Sequence, residues 1–198
     1  MTSIVVLATR NQGKVAELRR ILEPYDVELL GLEAFPDLED VPETGETLAA
    51  NALLKAHAVS DATGHVAVAD DSGLAVDALN GMPGILSARW SGTHGEDLAN
   101  LNLVLAQLRD VPDDRRGAAF ICAAAAASPD GREVVVEGRI DGMLIRAPRG
   151  RNGFGYDPIF VPSGETRTTA ELSPVEKDEI SHRGRAFRAL APNLRDLL

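Results

Sequence analysis

Short β-branched runs alternate with stretches whose apolar residues recur every three to four positions, and this alternation constrains the fold more than any other feature. Ile4–Ala8 reads as a buried strand. Asn11 can cap the helix that follows, whose stripe is Val15, Leu18, Ile21 and Leu22 and which stops near Pro24. Val27–Leu30 reads as a second strand, and residues 33–46, acid-rich with Pro36 and Pro42, as an exposed loop. A second helix at about 46–62 carries Leu48, Ala52, Ala56 and Val59 inward. Val66–Ala69 is the next strand, closed by the loop Asp70-Asp71-Ser72-Gly73. Asn80–Gly84 is a turn, and a helix at about 96–110 shows Leu98, Leu101, Leu105 and Leu108 on one face. Residues 118–127 are rich in alanine, which favours helix, but Ser128-Pro129-Asp130-Gly131 is a turn and a strand-like run follows it. The pair 118–127 and 133–140 therefore reads as a long antiparallel hairpin. Ser173-Pro174-Val175-Glu176 is a capping box with proline at the first helical position, and a last helix from about 183 buries Ala186, Phe187 and Leu190. No repeat or linker interrupts the chain, so the pattern predicts an α/β fold around one sheet, as a single domain over residues 1–198.

Composition narrows the function. Asp and Glu outnumber Lys and Arg by 30 to 20, a net charge of −10 that opposes binding of nucleic acid through bulk charge. It leaves room for a local basic pocket around one small anion. Cys122 is the only cysteine, which excludes an intrachain disulfide and a cysteine-built zinc site and fits a reducing cytoplasm. His57, His65, His94 and His182 show no paired metal-ligand spacing. The longest apolar run, Ala118–Ala127, is too short for a bilayer, which needs about 20 residues. The N-terminus lacks the basic start and long apolar core of a secretion signal. A soluble cytoplasmic protein with no membrane partner is expected.

Five segments could carry chemistry. Thr9-Arg10-Asn11-Gln12-Gly13-Lys14 lies where the first strand enters the first helix, a place that presents backbone amides and the positive end of the helix dipole to a phosphate. A Walker loop is excluded, because Ala8 and Val15 stand where glycine and Ser/Thr are required. A capped helix with a surface lysine is the plain alternative. Glu43 precedes Thr47, Asn51 and Lys55, which recur every four residues as a polar stripe on the second helix; a solvated face is the competing reading. Asp70 and Asp71 place two carboxylates at a strand end, which calls for compensating cations or hydrogen bonds. Such a pair suits Mg²⁺, which takes one or two carboxylates plus substrate oxygens, and crowding should raise one of the two pKa values toward proton-acceptor use. An Asp-rich turn is the alternative. Phe154 and Tyr156 lie among Gly150, Gly153 and Gly155, so backbone and ring can approach a flat ligand. Pro158 rules out a dinucleotide fingerprint there, and a tight core turn remains open. Lys177 with Ser181-His182-Arg183-Gly184 clusters cations in an acidic chain, as an anionic or carbonyl-bearing ligand would require, or as a helix terminus would.

Together, in this order, these segments resemble the inosine triphosphate pyrophosphatase family, over nearly the whole chain from Ala8-Thr9 to Ser181-His182-Arg183-Gly184. Ala69-Asp70-Asp71-Ser72-Gly73-Leu74 and Gly153-Phe154-Gly155-Tyr156-Asp157-Pro158 are the most diagnostic stretches. The resemblance implies two lobes around a long mixed sheet with an active-site cleft between them, a homodimer, and Mg²⁺-dependent hydrolysis of ITP, dITP or XTP to the monophosphate and pyrophosphate. It implies that Thr9, Arg10, Asn11, Gln12, Gly13 and Lys14 hold the phosphates, with Asn51 and Lys55 reaching them from the second helix. Asp71 would be proton acceptor and metal ligand, with Glu43 and Asp70 in the acidic metal site. Ser72, Phe154, Gly155, Tyr156, Asp157, Lys177, His182 and Arg183 would bind the nucleotide. The chain departs from the family pattern at Leu48, where an aromatic residue is usual, and at Ala50, where an acid is usual. A pyrophosphatase for modified pyrimidine nucleotides, of the septum-inhibitor-like family, and a non-catalytic nucleotide-binding module are the competing functional readings.

Overall fold

The computed structural model describes residues 4–25 and 27–198; the first three residues, on which the reading of the N-terminus partly rests, lie outside them. In chain order the strands and α-helices are β1 (Ile4–Leu7), α1 (Gln12–Leu22), β2 (Glu28–Gly31), α2 (Leu48–Thr63), β3 (Val66–Val76), α3 (Asp97–Gln107), β4 (Gly117–Ala127), β5 (Glu133–Leu144), β6 (Phe160–Pro162), α4 (Pro174–Ile180) and α5 (His182–Leu197). The strands form one six-stranded sheet in the order β2-β1-β3-β4-β5-β6. It is mixed: β1 runs parallel to β2 and β3, with Val5 opposite Val66, whereas β5 and β6 are antiparallel. The predicted α/β class is therefore what the chain forms.

The chain divides into two compact units. One comprises Met1–Asp71, Cys122–Gly138 and His182–Leu198; the other comprises Ser72–Ile121 and Arg139–Ser181. Strands β3, β4 and β5 each pass from one unit into the other along their length.

In the first unit the sheet is covered on both faces, and the period-two alternation of side chains assigns each residue to a face. Val5, Leu7, Val66, Val68, Cys122, Ala124 and Ala126 pack with α1 and α5 through Val15, Leu18, Ile21, Leu22, Phe187 and Leu190. The intervening Val6, Ala67, Ala69, Ala123, Ala125 and Ala127 pack with α2 through Ala52, Ala56 and Val59. This explains the alanine run. A strand buried on both faces has no polar alternation to display, and small residues on strand and helix together let α2 lie close to the sheet. Asn11 caps α1, accepting from Lys14 N at 3.1 Å, and Gly64 ends α2 in the left-handed conformation at φ +69°.

In the second unit the core gathers Leu74, Val76, Leu101, Val104, Leu108, Phe120, Ile140, Leu144, Tyr156, Ile159 and Phe160. Two expectations are corrected here. Asp70-Asp71-Ser72-Gly73 is not a loop: β3 continues through it to Val76. The reason is that Leu74 and Val76 are drawn into this core, and Gly73 admits the carbonyl of Gly84, which a side chain would exclude. Around α3, Leu101, Val104 and Leu108 are buried in this core and Leu105 packs against it, whereas Leu98, expected on the same face, is 70% exposed. The capping box at Ser173 is present, with Glu176 Oε2 accepting from Ser173 N at 2.8 Å.

Candidate active site

Because β3 is extended through Asp70 and Asp71, the two carboxylates point to opposite faces of the sheet. Asp70 shares the parity of Val66 and Val68 and faces α1 and α5; Asp71 shares that of Ala67 and Ala69 and faces α2. Each acid makes its direct ion pairs with different cations, Asp70 with Lys14 and Arg183 and Asp71 with Lys55, although the charges of Lys14 and Lys55 are felt by both.

Asp70 is fully buried and receives Lys14 Nζ at 2.9 Å and Arg183 Nε at 3.2 Å. Arg183, 2% exposed, also pairs with Glu17 on α1, itself buried. Lys14 and Glu17 are three residues apart on one helix, so they reach the same region from adjacent turns. Two cations and two carboxylates thus meet on this face of the sheet with charges that balance. Burial alone would raise the Asp70 carboxyl, but Lys14 and Arg183 hold it well below the usual carboxylate range. The same acids hold Arg183 firmly charged against burial. Arg183 is therefore engaged by acids within this unit.

Asp71 is bound differently. Asn51, fully buried in α2, donates from Nδ2 to Asp71 Oδ2 at 3.0 Å while its Oδ1 accepts from Gly45 N at 2.7 Å. One turn later Lys55 places Nζ 2.9 Å from Glu43 Oε1 and 3.3 Å from Asp71 Oδ1. The polar stripe is thus no solvated face: two of its members hold an acid at the sheet, and the third, Thr47, caps the helix by accepting from Ala50 N at 3.1 Å. Burial pushes the Asp71 carboxyl up, and Glu43 adds to this; Lys55 and Asn51 oppose without cancelling it. Lys55 is held charged by Asp71, Asp70 and Glu43 against its own burial.

The Thr9–Lys14 segment is arranged as a helix entry. Thr9 Oγ1 accepts from Asn11 N at 3.2 Å, and Gln12 and Gly13 open α1, where first-turn amides have no intrahelical acceptor. Arg10 is turned to the acidic loop, with Nε 2.7 Å from Asp40 Oδ1 and a second bond to the carbonyl of Leu38. His182 opens α5 and is buried; its carbonyl lies where a Cβ on Gly138 would be.

In the second unit Asp157 organises the glycine-flanked turn. Its Oδ2 accepts from Phe154 N at 2.8 Å and from Lys177 Nζ at 2.6 Å, and its Oδ1 accepts from Thr169 Oγ1 at 2.9 Å. Gly153, at φ +73°, leaves no space for a side chain beside Asp157 Oδ2. Lys177 Nζ stands 5.0 Å from the centroid of the half-buried Phe154 ring, within cation–π range. Tyr156 is buried, with its hydroxyl donated to Ser87 O at 2.8 Å, so it anchors the turn rather than presenting its ring. Ser72 is half-buried on β3.

Two residues with a part in this arrangement, Glu17 and Asp97, carry no sequence signal. Glu17 reads as one polar residue in an amphipathic helix, and its partner Arg183 is 166 residues away. Asp97 accepts from Gly155 N at 2.9 Å across 58 residues.

Among the described residues no group of three or more His, Cys, Asp or Glu side chains is gathered to cage a metal ion. Asp71 and Glu43 nevertheless offer two hard oxygen ligands on either side of one lysine, a donor set that fits Mg²⁺ bound jointly with phosphate oxygens.

Residues 5–193 match the model of the Ham1 family. A protein of Streptomyces coelicolor named dITP/XTP pyrophosphatase is 62% identical over 198 residues, covering 98% of each chain. One of the same name from Mycobacterium tuberculosis is 57% identical over 196 residues, covering 98% of this chain and 96% of its own. Among solved structures, the nucleoside-triphosphatase, or dITP/XTP pyrophosphatase, of Mycobacterium abscessus is 61% identical with a TM-score of 0.76, covering 96% of this chain and 99% of its own. A HAM1 protein from Coxiella burnetii, 38% identical, gives 0.88 over 98% of this chain and all of its own. With its motifs, its mixed sheet and its full-length relatives in agreement, the chain belongs to the Ham1 family.

Proposed function

We propose that this chain hydrolyses non-standard purine nucleoside triphosphates, namely ITP, dITP and XTP, to the monophosphate and pyrophosphate. The observation that carries the reading is Asp71, a buried carboxylate oriented by Asn51, balanced by Lys55 and raised in proton affinity. The names of its relatives supply the substrate class.

In the proposed reaction a water oxygen attacks the α-phosphorus and the bond from that phosphorus to the bridging oxygen breaks. Pyrophosphate leaves, and the water's proton passes to Asp71. A carboxylate raised toward neutrality is the better acceptor, and Asn51, bonded to Oδ2, holds the carboxyl in one orientation. Lys14, Lys55 and the Thr9, Arg10, Asn11, Gln12 and Gly13 segment would hold the phosphates. Asp71 and Glu43 would hold Mg²⁺, which when bound neutralises phosphate charge, whereas Asp70, expected from the sequence in the same metal site, faces the other side of the sheet and pairs with Lys14 and Arg183. Phe154, Gly155, Tyr156, Asp157, Lys177, Ser72, His182 and Arg183 are assigned to the nucleoside, Phe154 by stacking and Tyr156 and Asp157 by shaping the turn. Hypoxanthine and xanthine present a six-keto oxygen to a donor such as a backbone amide; adenine presents an amine there and leaves that donor unpaired.

We further propose that residues 1–198 act as one catalytic domain, in a homodimer, in the cytoplasm; a lone buried Cys122 suits that compartment. Among the described residues no helix is long and apolar enough to cross a membrane. The test is pyrophosphate release from ITP, dITP, XTP, dUTP and the standard nucleotides. We expect Asp71→Asn to keep the fold and lose most dITP turnover; near-wild-type rates would remove Asp71 from the chemistry.

A further inference from the structure

We propose that Asp97 is a positioning residue: its carboxylate fixes the turn 153–157 and so holds the Phe154 ring ready for the base. The proposal rests on the reading of Phe154 as a base-binding residue.

The turn meets two carboxylates on consecutive amides. Phe154 N donates to Asp157 Oδ2 at 2.8 Å, a bond made within the turn, whereas Gly155 N donates to Asp97 Oδ2 at 2.9 Å. Gly155 is in the left-handed region at φ +60°, and nothing lies within 4 Å of where its Cβ would be. Space does not demand a glycine there; the backbone conformation does. A left-handed glycine is the residue with the most conformations to lose, so the amide that pins it decides whether the turn is ordered before ligand arrives.

Asp97 is placed to be that pin. It opens α3, where the helix dipole favours a carboxylate. The residue before it, Glu96, makes no side-chain capping bond, and the Asp97 carboxylate reaches the distant turn. One turn along the same helix the buried Asn100 accepts from Ser91 N at 2.7 Å and donates to Ala88 O at 3.2 Å. Tyr156 OH donates to Ser87 O at 2.8 Å, beside the segment that Asn100 holds. The turn is therefore tied at Phe154, Gly155 and Tyr156 in succession, and the middle tie comes from an exposed side chain that contributes nothing to the apolar core.

The experiment measures kcat and KM for ITP with Mg²⁺ in the wild type and in Phe154→Ala, Asp97→Ala and Asp97→Asn. We expect Phe154→Ala to raise KM. Asp97→Ala should raise KM about ten-fold, the worth of one hydrogen bond to a charged acceptor, with kcat within about two-fold because the reacting groups are untouched. Asp97→Asn keeps an accepting oxygen and should restore most of the KM. An unchanged KM in Asp97→Ala, beside a raised one in Phe154→Ala, overturns the proposal and leaves the base-binding reading intact. An unchanged KM in Phe154→Ala overturns both. A fall in kcat at constant KM, no recovery in Asp97→Asn, or an Asp97→Ala chain that does not fold would each assign Asp97 to the scaffold and overturn its positioning role.

Discussion

Glu17 offers a sharp test of how the buried charges are balanced. In the folded chain Glu17 and Asp70 face Lys14 and Arg183, so the set is neutral. Glu17→Ala leaves a guanidinium only 2% exposed with one carboxylate fewer, while Asp70, which it keeps, is shared with Lys14. Removing one partner from a buried pair typically costs about 3–5 kcal/mol. Because Arg183 retains Asp70, the lower end applies, about 3 kcal/mol. For a chain of this size that corresponds to roughly 6–12 °C in Tm. Urea unfolding followed by circular dichroism gives the free energy, with coincident fluorescence and dichroism curves as the check that one transition is being measured. Glu17→Ala/Arg183→Met, which removes both charges, should lose less than the sum of the two single variants by at least about 1 kcal/mol. A Glu17→Ala loss below about 1 kcal/mol, or strict additivity, would refute the neutral-set reasoning.

Other outcomes follow from the same geometry. Glu176 accepts from Ser173 N at 2.8 Å and from Arg167 Nη1 at 2.9 Å, which lowers its carboxyl to about 2. A folded-state pKa depressed below the ordinary value gives a contribution that is complete above about 4.5 and disappears as the pH falls through about 2. The Tm gap between wild type and Glu176→Gln should therefore be constant above pH 5 and close on acidification; a gap unchanged near pH 2 would contradict the capping role. Ala125→Leu overfills the layer between β4 and α2 and should cost about 1–3 kcal/mol by urea unfolding. Gly64→Ala, at φ +69° with open space around it, should cost about 1 kcal/mol through backbone strain alone. Chelation should abolish pyrophosphate release, with Mg²⁺ restoring it; full activity in chelator would remove the metal from the proposed site.

The sequence was most informative where local rules and tertiary demands coincide. The stripe Val15, Leu18, Ile21 and Leu22, the Asn11 cap, the Ser173 box and the strand pattern around residues 4–8 all appear in the fold, because periodicity and capping are local. Asp70–Gly73 misleads because Asp, Ser and Gly are turn formers, while what keeps them extended is the core that Leu74 and Val76 enter. Leu98 misleads for the opposite reason: helical spacing admits it to the apolar face, yet its side chain is 70% exposed. At the site, Asn51 and Lys55 were legible as a stripe, but their acid partner was not fixed until the strand set the direction of Asp71. Glu17 and Asp97 act on partners far along the chain, and no local pattern encodes such a pairing.

The back-to-back orientation of Asp70 and Asp71 makes these neighbouring identical residues non-interchangeable. One insertion or deletion among residues 66–69 would rotate each acid into the other's surroundings, handing the strongly ionised role to the wrong oxygen atoms. Chains that share the Asp-Asp dipeptide but differ by one residue in the strand ahead of it should accordingly be inert, however well the rest of their motifs align.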